Sequence, residues 1–204
     1  MNMQEQLERA GVDLNTYPII SGSPGHDELM ARCRSELEEH GACVLEGFLG
    51  IPSVERAIEE IAPHLPDAFY KTKRHNVYLD EGDTQFADHH SRNRLVETSS
   101  ATLGYFGVEK DTVLDNLYQT AGMRDFVAQT LGYDELFAYS DPMSPVNVLI
   151  YAPDTQLGWH FDSSSFTVTL MLRPAEMGGL YQYAPFIRSE GDPGFGAVEN
   201  ILDG

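Results

Sequence analysis

The chain has 204 residues, 42% of them apolar and 22% charged, which suits one globular domain with a sizeable core and not a disordered segment. Against 32 acidic residues stand 13 basic ones, a formal charge of −19, and such a surface repels phosphate backbones and anionic headgroups. Neither nucleic acid nor membrane is therefore an expected partner. No apolar run approaches the roughly 20 residues of a membrane-spanning helix. The N-terminal MNMQEQLERAGVDL lacks a basic stretch leading into an apolar one, so no secretory signal is expected. Cys33 and Cys43 are too few for a disulfide framework and fit a reducing, cytoplasmic setting.

The first predicted element is a helix over 28–39, capped by Asp27, with Leu29, Met30, Cys33 and Leu37 at helical spacing and His40-Gly41 at its end. Ala42-Cys43-Val44-Leu45 reads as a short buried strand. Ser53 caps a second helix over 54–62, stopped by Pro63. Residues 66–94 read as long loops around a short strand at Asn76-Val77-Tyr78-Leu79. Two further helices are predicted at about 111–119 and 122–131, the second ended by Gly132.

After residue 140 the pattern changes to strands. They are predicted over 146–151, at Trp159-His160-Phe161-Asp162, over 166–172 with alternating larger apolar residues and threonines, and from Leu180 after a Gly178-Gly179 turn. The chain ends on the amphipathic turn Val198-Glu199-Asn200-Ile201-Leu202-Asp203-Gly204, read either as a short glycine-capped helix or as a chain cut within its domain. Helices followed by strands predict a single α+β domain, mainly helical over 1–139.

The sharpest chemical signal is Gly158-Trp159-His160-Phe161-Asp162. In extended chain, His160 and Asp162 share a face because the side-chain period is two. An imidazole and a carboxylate on one face are two members of the 2-His-1-carboxylate triad that holds non-haem iron. A structural hydrogen-bonded pair has the same spacing. Upstream, Asn147 and Tyr151 share a face of their predicted strand. Downstream, Thr167 and Thr169 share a face of the next.

The order strand, loop, His-x-Asp, strand, Gly-Gly, strand resembles the first half of the double-stranded β-helix, or jelly-roll, of the Fe(II)/2-oxoglutarate-dependent dioxygenases. The run LGWHFDSSSFTVTLMLRPAEMGGLYQYAPFIR is most similar to the branch of hydroxylases and halogenases acting on free amino acids and related metabolites, and EEHGACVLEGFL resembles the superfamily's lead-in. The resemblance implies N-terminal helices packed on a jelly-roll whose C-terminal strands are missing. His160 and Asp162 would be iron ligands. Because halogenating members carry Gly or Ala where Asp162 stands, it implies a hydroxylase, with O2 and 2-oxoglutarate as cosubstrates and a small-molecule substrate.

Asn147, Tyr151 and Thr169 become candidates for contacts to 2-oxoglutarate, though ordinary strand packing accounts equally for the first two and better for Thr169. Arg74 can clamp a substrate carboxylate and Asp141 a substrate amine; a solvated charge and a loop acid are the plain alternatives. Trp159 is expected to pack away from His160, and His89-His90 to lie in a surface loop. The departure from the family is large. It places a second histidine ligand and a cosubstrate arginine well after the Gly-Gly turn, whereas only 42 residues follow Asp162 and none is histidine. The expectation is a chain truncated within its catalytic core. Two alternatives remain: another jelly-roll metal protein, and a catalytically inactive paralogue or binding module of the same fold.

Overall fold

The computed structural model describes residues 2–141 and 145–204. It is a mixed helix-and-sheet structure made of two compact units, Met1–Ala68 with Leu103–Val148 and Phe69–Thr102 with Leu149–Gly204.

The first unit is helical. Helix α1 spans Met3–Ala10 and opens with a reciprocal cap: Glu5 N donates to Asn2 Oδ1 at 2.8 Å, and Asn2 N donates to Glu5 Oε2 at 2.9 Å. Helix α2, His26–His40, buries His26, Leu29, Met30 and Cys33, one stripe at helical spacing. Its cap is Gly25, and Asp27, the expected cap, sits in the first turn, where a carboxylate still favours the helix dipole. Helix α3, Ile51–Ile61, likewise begins earlier than Ser53, because Pro52 at its first turn fixes φ and needs no N–H partner. A 3₁₀ turn over Ala62–Asp67 follows.

Helices α4, Val113–Gln119, and α5, Ala121–Leu131, fall where the sequence places them, and Gly132 ends α5 in the left-handed conformation. His26 ties the unit together. Its ring nitrogens lie 2.9 Å from Pro18 O and 3.1 Å from Gln129 Oε1. At the end of α5, Arg34 donates twice to the Gln129 carbonyl, at 3.0 and 2.7 Å.

The second unit is built on a sheet of order β1-β2-β3. Strand β1, Phe69–Asn76, pairs antiparallel with β2, Leu95–Leu103, from Phe69 opposite Thr102 to Asn76 opposite Leu95. Strand β3 is short, Val148–Ile150. Helix α6, Phe195–Asp203, seats the Phe195 ring against Tyr78, Phe86 and His90 at 5.7, 5.2 and 4.9 Å. Arg94 closes its C-terminal end, bonding the Asp203 carboxylate and the Leu202 carbonyl.

Several predicted strands are corrected. Residues 42–45 form no strand, and Val44 is exposed. The strand expected at 76–79 lies earlier, as β1. Strand β2, rich in Thr and Ser, begins just after the stretch 66–94 read as loop, where no element was expected. Residues 159–162, 166–172 and 180–183 join no ladder among the described residues. A strand requires a neighbour at about 4.8 Å to take its backbone hydrogen bonds, and alternation alone supplies none. Val168, Met171, Leu180 and Tyr181 are exposed accordingly. Among the described residues, no helix is long and apolar enough to cross a membrane.

Gly11 is a position that leaves no room for a side chain. It has φ +84°, and a Cβ there would stand 1.9 Å from Ser53 Oγ. Gly47, at φ +70°, faces open space. The left-handed conformation costs an L-residue roughly 1–2 kcal/mol. Gly47→Ala is expected to lose about that much and Gly11→Ala clearly more, read as a larger drop in the urea midpoint. Equal losses would show that Ser53 moves aside freely.

Candidate metal centre

The His-x-Asp segment hangs on the β1–β2 sheet through three backbone contacts. Gly158 N donates to Thr98 Oγ1 at 2.9 Å, Phe161 N donates to Val77 O at 2.9 Å, and Ser99 N donates to Gln156 O at 2.8 Å. Gly158 is the point of closest approach. A Cβ there would sit 2.7 Å from Glu97 O and 3.0 Å from Val96 Cγ2, so only glycine lets the segment lie this near β2.

Although 159–162 forms no ladder, its side chains still alternate. Phe161 turns toward Tyr78, with ring centroids 5.3 Å apart, and the Arg188 guanidinium lies 4.4 Å over its ring. His160 and Asp162 converge, Nε2 to Oδ1 at 3.3 Å. The His160 side chain is largely buried, 23% exposed, and that of Asp162 is 51% exposed.

Each member of the pair is held from behind. His160 Nδ1 lies 2.8 Å from Gly158 O. A carbonyl can only accept, so Nδ1 carries a proton, and Nε2 turns toward the Asp162 carboxylate. Thr167 Oγ1 donates to Asp162 Oδ2 at 2.5 Å, leaving Oδ1 for the histidine side. Arg188 Nη2 donates to the Asp162 carbonyl at 3.3 Å.

The separation suits both an ordinary His–Asp ion pair and two donors on one divalent metal. Two cis donors at about 2.1 Å from an octahedral ion stand about 3 Å apart, close to the separation found here. The proton on Nδ1 and the hydroxyl on Oδ2 are the supports that metal-binding histidines and carboxylates take. Among the described residues, no third His, Cys, Asp or Glu joins them. The nearest imidazole partner is His75, its ring edge-on to His160 at 6.1 Å. Both its nitrogens are engaged, Nδ1 with Asn76 O at 2.9 Å and Nε2 with Thr98 Oγ1 at 2.8 Å.

The other candidates distribute unevenly. Arg74 is exposed in β1 opposite Glu97. Consecutive strand residues point to opposite faces, so His75 and not Arg74 faces His160. Thr169 is exposed, and Thr167 is the threonine that reaches the pair. Tyr151 is half-exposed, and burial, together with neighbouring Tyr181, raises its hydroxyl above the ordinary tyrosine range. Asn147 and Asp141 belong to the helical unit, Asp141 exposed and Asn147 on the strand's approach. His90 stacks on Phe86 at 4.4 Å and accepts from Arg92 N at 3.1 Å, a packed loop residue and not half of a histidine pair.

His75, Thr98, Tyr78 and Arg188 were not legible as site residues. Alternation offered one signal, since in Arg74-His75 only one side chain can face the sheet interior. Tyr78 is also raised above its usual range by burial, with Arg92 and Arg188 opposing. The chain matches no protein-family model, no curated protein and no solved structure.

Replacing Gly158 tests the hanging segment. Gly158→Ala forces the new Cβ onto the Glu97 carbonyl, and overpacking of this kind costs about 1–3 kcal/mol. The Phe161 amide is expected to exchange hydrogen faster in this variant, read by mass spectrometry, while amides of α2 and α5 keep their rates. Unchanged exchange at Phe161 would mean that the contact with β2 does not hold the segment.

Proposed function

We propose that this chain carries two iron ligands of a non-haem Fe(II)/2-oxoglutarate-dependent oxygenase, a cytoplasmic hydroxylase of a small metabolite, of the free amino-acid class, on a jelly-roll core. The observation that carries the reading is the His160–Asp162 pair, converging at 3.3 Å with the imidazole proton committed to the Gly158 carbonyl. The resemblance of 157–188 to the hydroxylase and halogenase branch, which includes this same pair, points the same way. A complete centre also takes a second histidine and an arginine for the cosubstrate carboxylate, and the reading assigns neither to a residue of this chain.

Fe(II) held by this pair would be the place where O2, the oxidant, and 2-oxoglutarate, which leaves as succinate and CO2, react to hydroxylate a C–H bond. The chain's own residues hold and orient. His160 offers Nε2 in one tautomer, and Asp162 offers Oδ1 while Thr167 restrains Oδ2. Asp162 supplies a carboxylate where a halogenating site leaves room for halide, which selects hydroxylation. Within the unit that holds the pair, Tyr151 and Thr169 stay on the reading as cosubstrate contacts, with Thr167 now nearest the pair.

The test is anaerobic titration with Fe(II) and 2-oxoglutarate of the product of the whole reading frame, followed by succinate measurement in air with a panel of free amino acids. A weak visible charge-transfer band and amino-acid-dependent succinate are expected, and both are lost in His160→Ala and Asp162→Ala. Absence of both signals in the unaltered protein overturns the reading. The 204 residues alone are expected to give little turnover, because two protein donors hold iron loosely; robust succinate formation by them would show that a third donor lies among these residues.

A further inference from the structure

One hydrogen-bonded chain runs from the interior of the sheet to the candidate metal pair, and none of its inner members belongs to the pair. It begins at the Asn76 carbonyl, 2.9 Å from His75 Nδ1. A carbonyl accepts only, so His75 carries its proton on Nδ1. In the neutral ring Nε2 is then an acceptor, and it lies 2.8 Å from Thr98 Oγ1, which must donate. The same Thr98 oxygen accepts from Gly158 N at 2.9 Å. The Gly158 carbonyl accepts from His160 Nδ1 at 2.8 Å. Each bond of the chain thus has its donor, and the Asn76 and Gly158 carbonyls, which only accept, fix the direction at His75 Nδ1 and His160 Nδ1.

Burial makes the arrangement costly to break. His75 is 7% exposed and Asn76 2% exposed, so an unpaired polar atom here would face no water. The tertiary geometry agrees. Thr98 lies opposite Lys73 in the β1–β2 register, which puts it on the His75 face of the sheet. The His75 and His160 rings then meet edge to face at 6.1 Å.

We infer that His75 and Thr98 are positioning residues for His160: together they fix the height and rotation of Gly158, whose carbonyl sets the tautomer and aim of the ligand imidazole. The inference rests on the reading of His160 as a metal ligand, but its tautomer arm does not. Thr98 is the pivot. Its hydroxyl bonds both the sheet and the hanging segment. Valine has the same branched shape and β-propensity without the hydroxyl, and serine keeps the hydroxyl without the methyl.

The experiment uses the ¹⁵N-labelled chain and Co(II) as the probe metal. Imidazole nitrogen–proton correlation spectra of the metal-free chain report the His160 tautomer, with His160→Ala identifying its signals, and absorbance titration reports Co(II) affinity. The unaltered chain is expected to show His160 protonated on Nδ1. Thr98→Val is expected to mix the two tautomers and weaken Co(II) about 10-fold, the scale on which outer-shell partners act. Thr98→Ser is expected to restore both. His75→Leu removes the acceptor without touching β2 and is expected to reproduce the Thr98→Val result, a second route should that variant fail to fold.

If folded Thr98→Val keeps tautomer and affinity, the inference is overturned. Equal losses in Thr98→Val and Thr98→Ser overturn it too, since packing would then be the cause. If His160→Ala binds Co(II) as tightly as the unaltered chain, it is the metal reading that fails, while the tautomer measured without metal still decides the relay.

Discussion

Everything at the candidate site depends on the pairing of β1 with β2. That ladder fixes which side chains of 69–76 and 95–103 face the same way. It places Thr98 where its hydroxyl meets both His75 and the Gly158 amide, and it leaves the Val77 carbonyl, just past the end of β1, to receive the Phe161 amide. The His-x-Asp segment has no ladder of its own. It keeps the two-residue alternation of a strand because its neighbours are bonded at separate points, with Phe161 packed to one side and the ligand pair to the other. A single register shift along β1–β2 would carry Thr98 to the opposite face and remove the support of His160.

The large acidic excess is partly absorbed by the backbone. Glu5 accepts the Asn2 amide at the start of α1, Glu60 accepts the Val113 amide at the start of α4, and Asp115 accepts from Asp111 N and the Tyr105 hydroxyl. Glu36 accepts from Val44 N, and Asp192 from Gly194 N ahead of α6. At Asp13, bonds from Thr16 hold the carboxyl below its ordinary range. Carboxylates serve well here because helix starts and turns leave N–H groups without partners. The charge is therefore as much a matter of local folding as of attraction for a ligand, and it weighs little in choosing a substrate.

The candidate site was legible in its chemistry and not in its supports. His160 and Asp162 were singled out by their spacing together with the resemblance of the run around them, and period-two geometry keeps them on one face even without a ladder. Thr167 was one of two threonines on a predicted face, and contact with Asp162 distinguishes it from Thr169. Arg74 drew attention as a charge, yet strand alternation gives the inward place to His75. Helices α2 and α5 were readable because their apolar stripes and glycine ends, Gly41 and Gly132, are local signals. β2 was not, because its threonines, serines and glutamate lack the apolar alternation of a half-buried strand, and only pairing with β1 makes it one.

By itself, then, the sequence determined the positions of the principal helices, the exclusion of a membrane-spanning helix among the described residues, and the shared face of one imidazole and one carboxylate. These follow from periods of 3.6 and 2 and from glycine geometry, which act over a few residues. Tertiary structure alone decided which segments became strands, which face of β1 looks at His160, and how Gly158, whose carbonyl lies against Nδ1 of that ring, is held to β2. Those depend on hydrogen bonds between residues far apart in the chain, 60 positions in the case of Gly158 with Thr98, and no local pattern encodes where such partners meet.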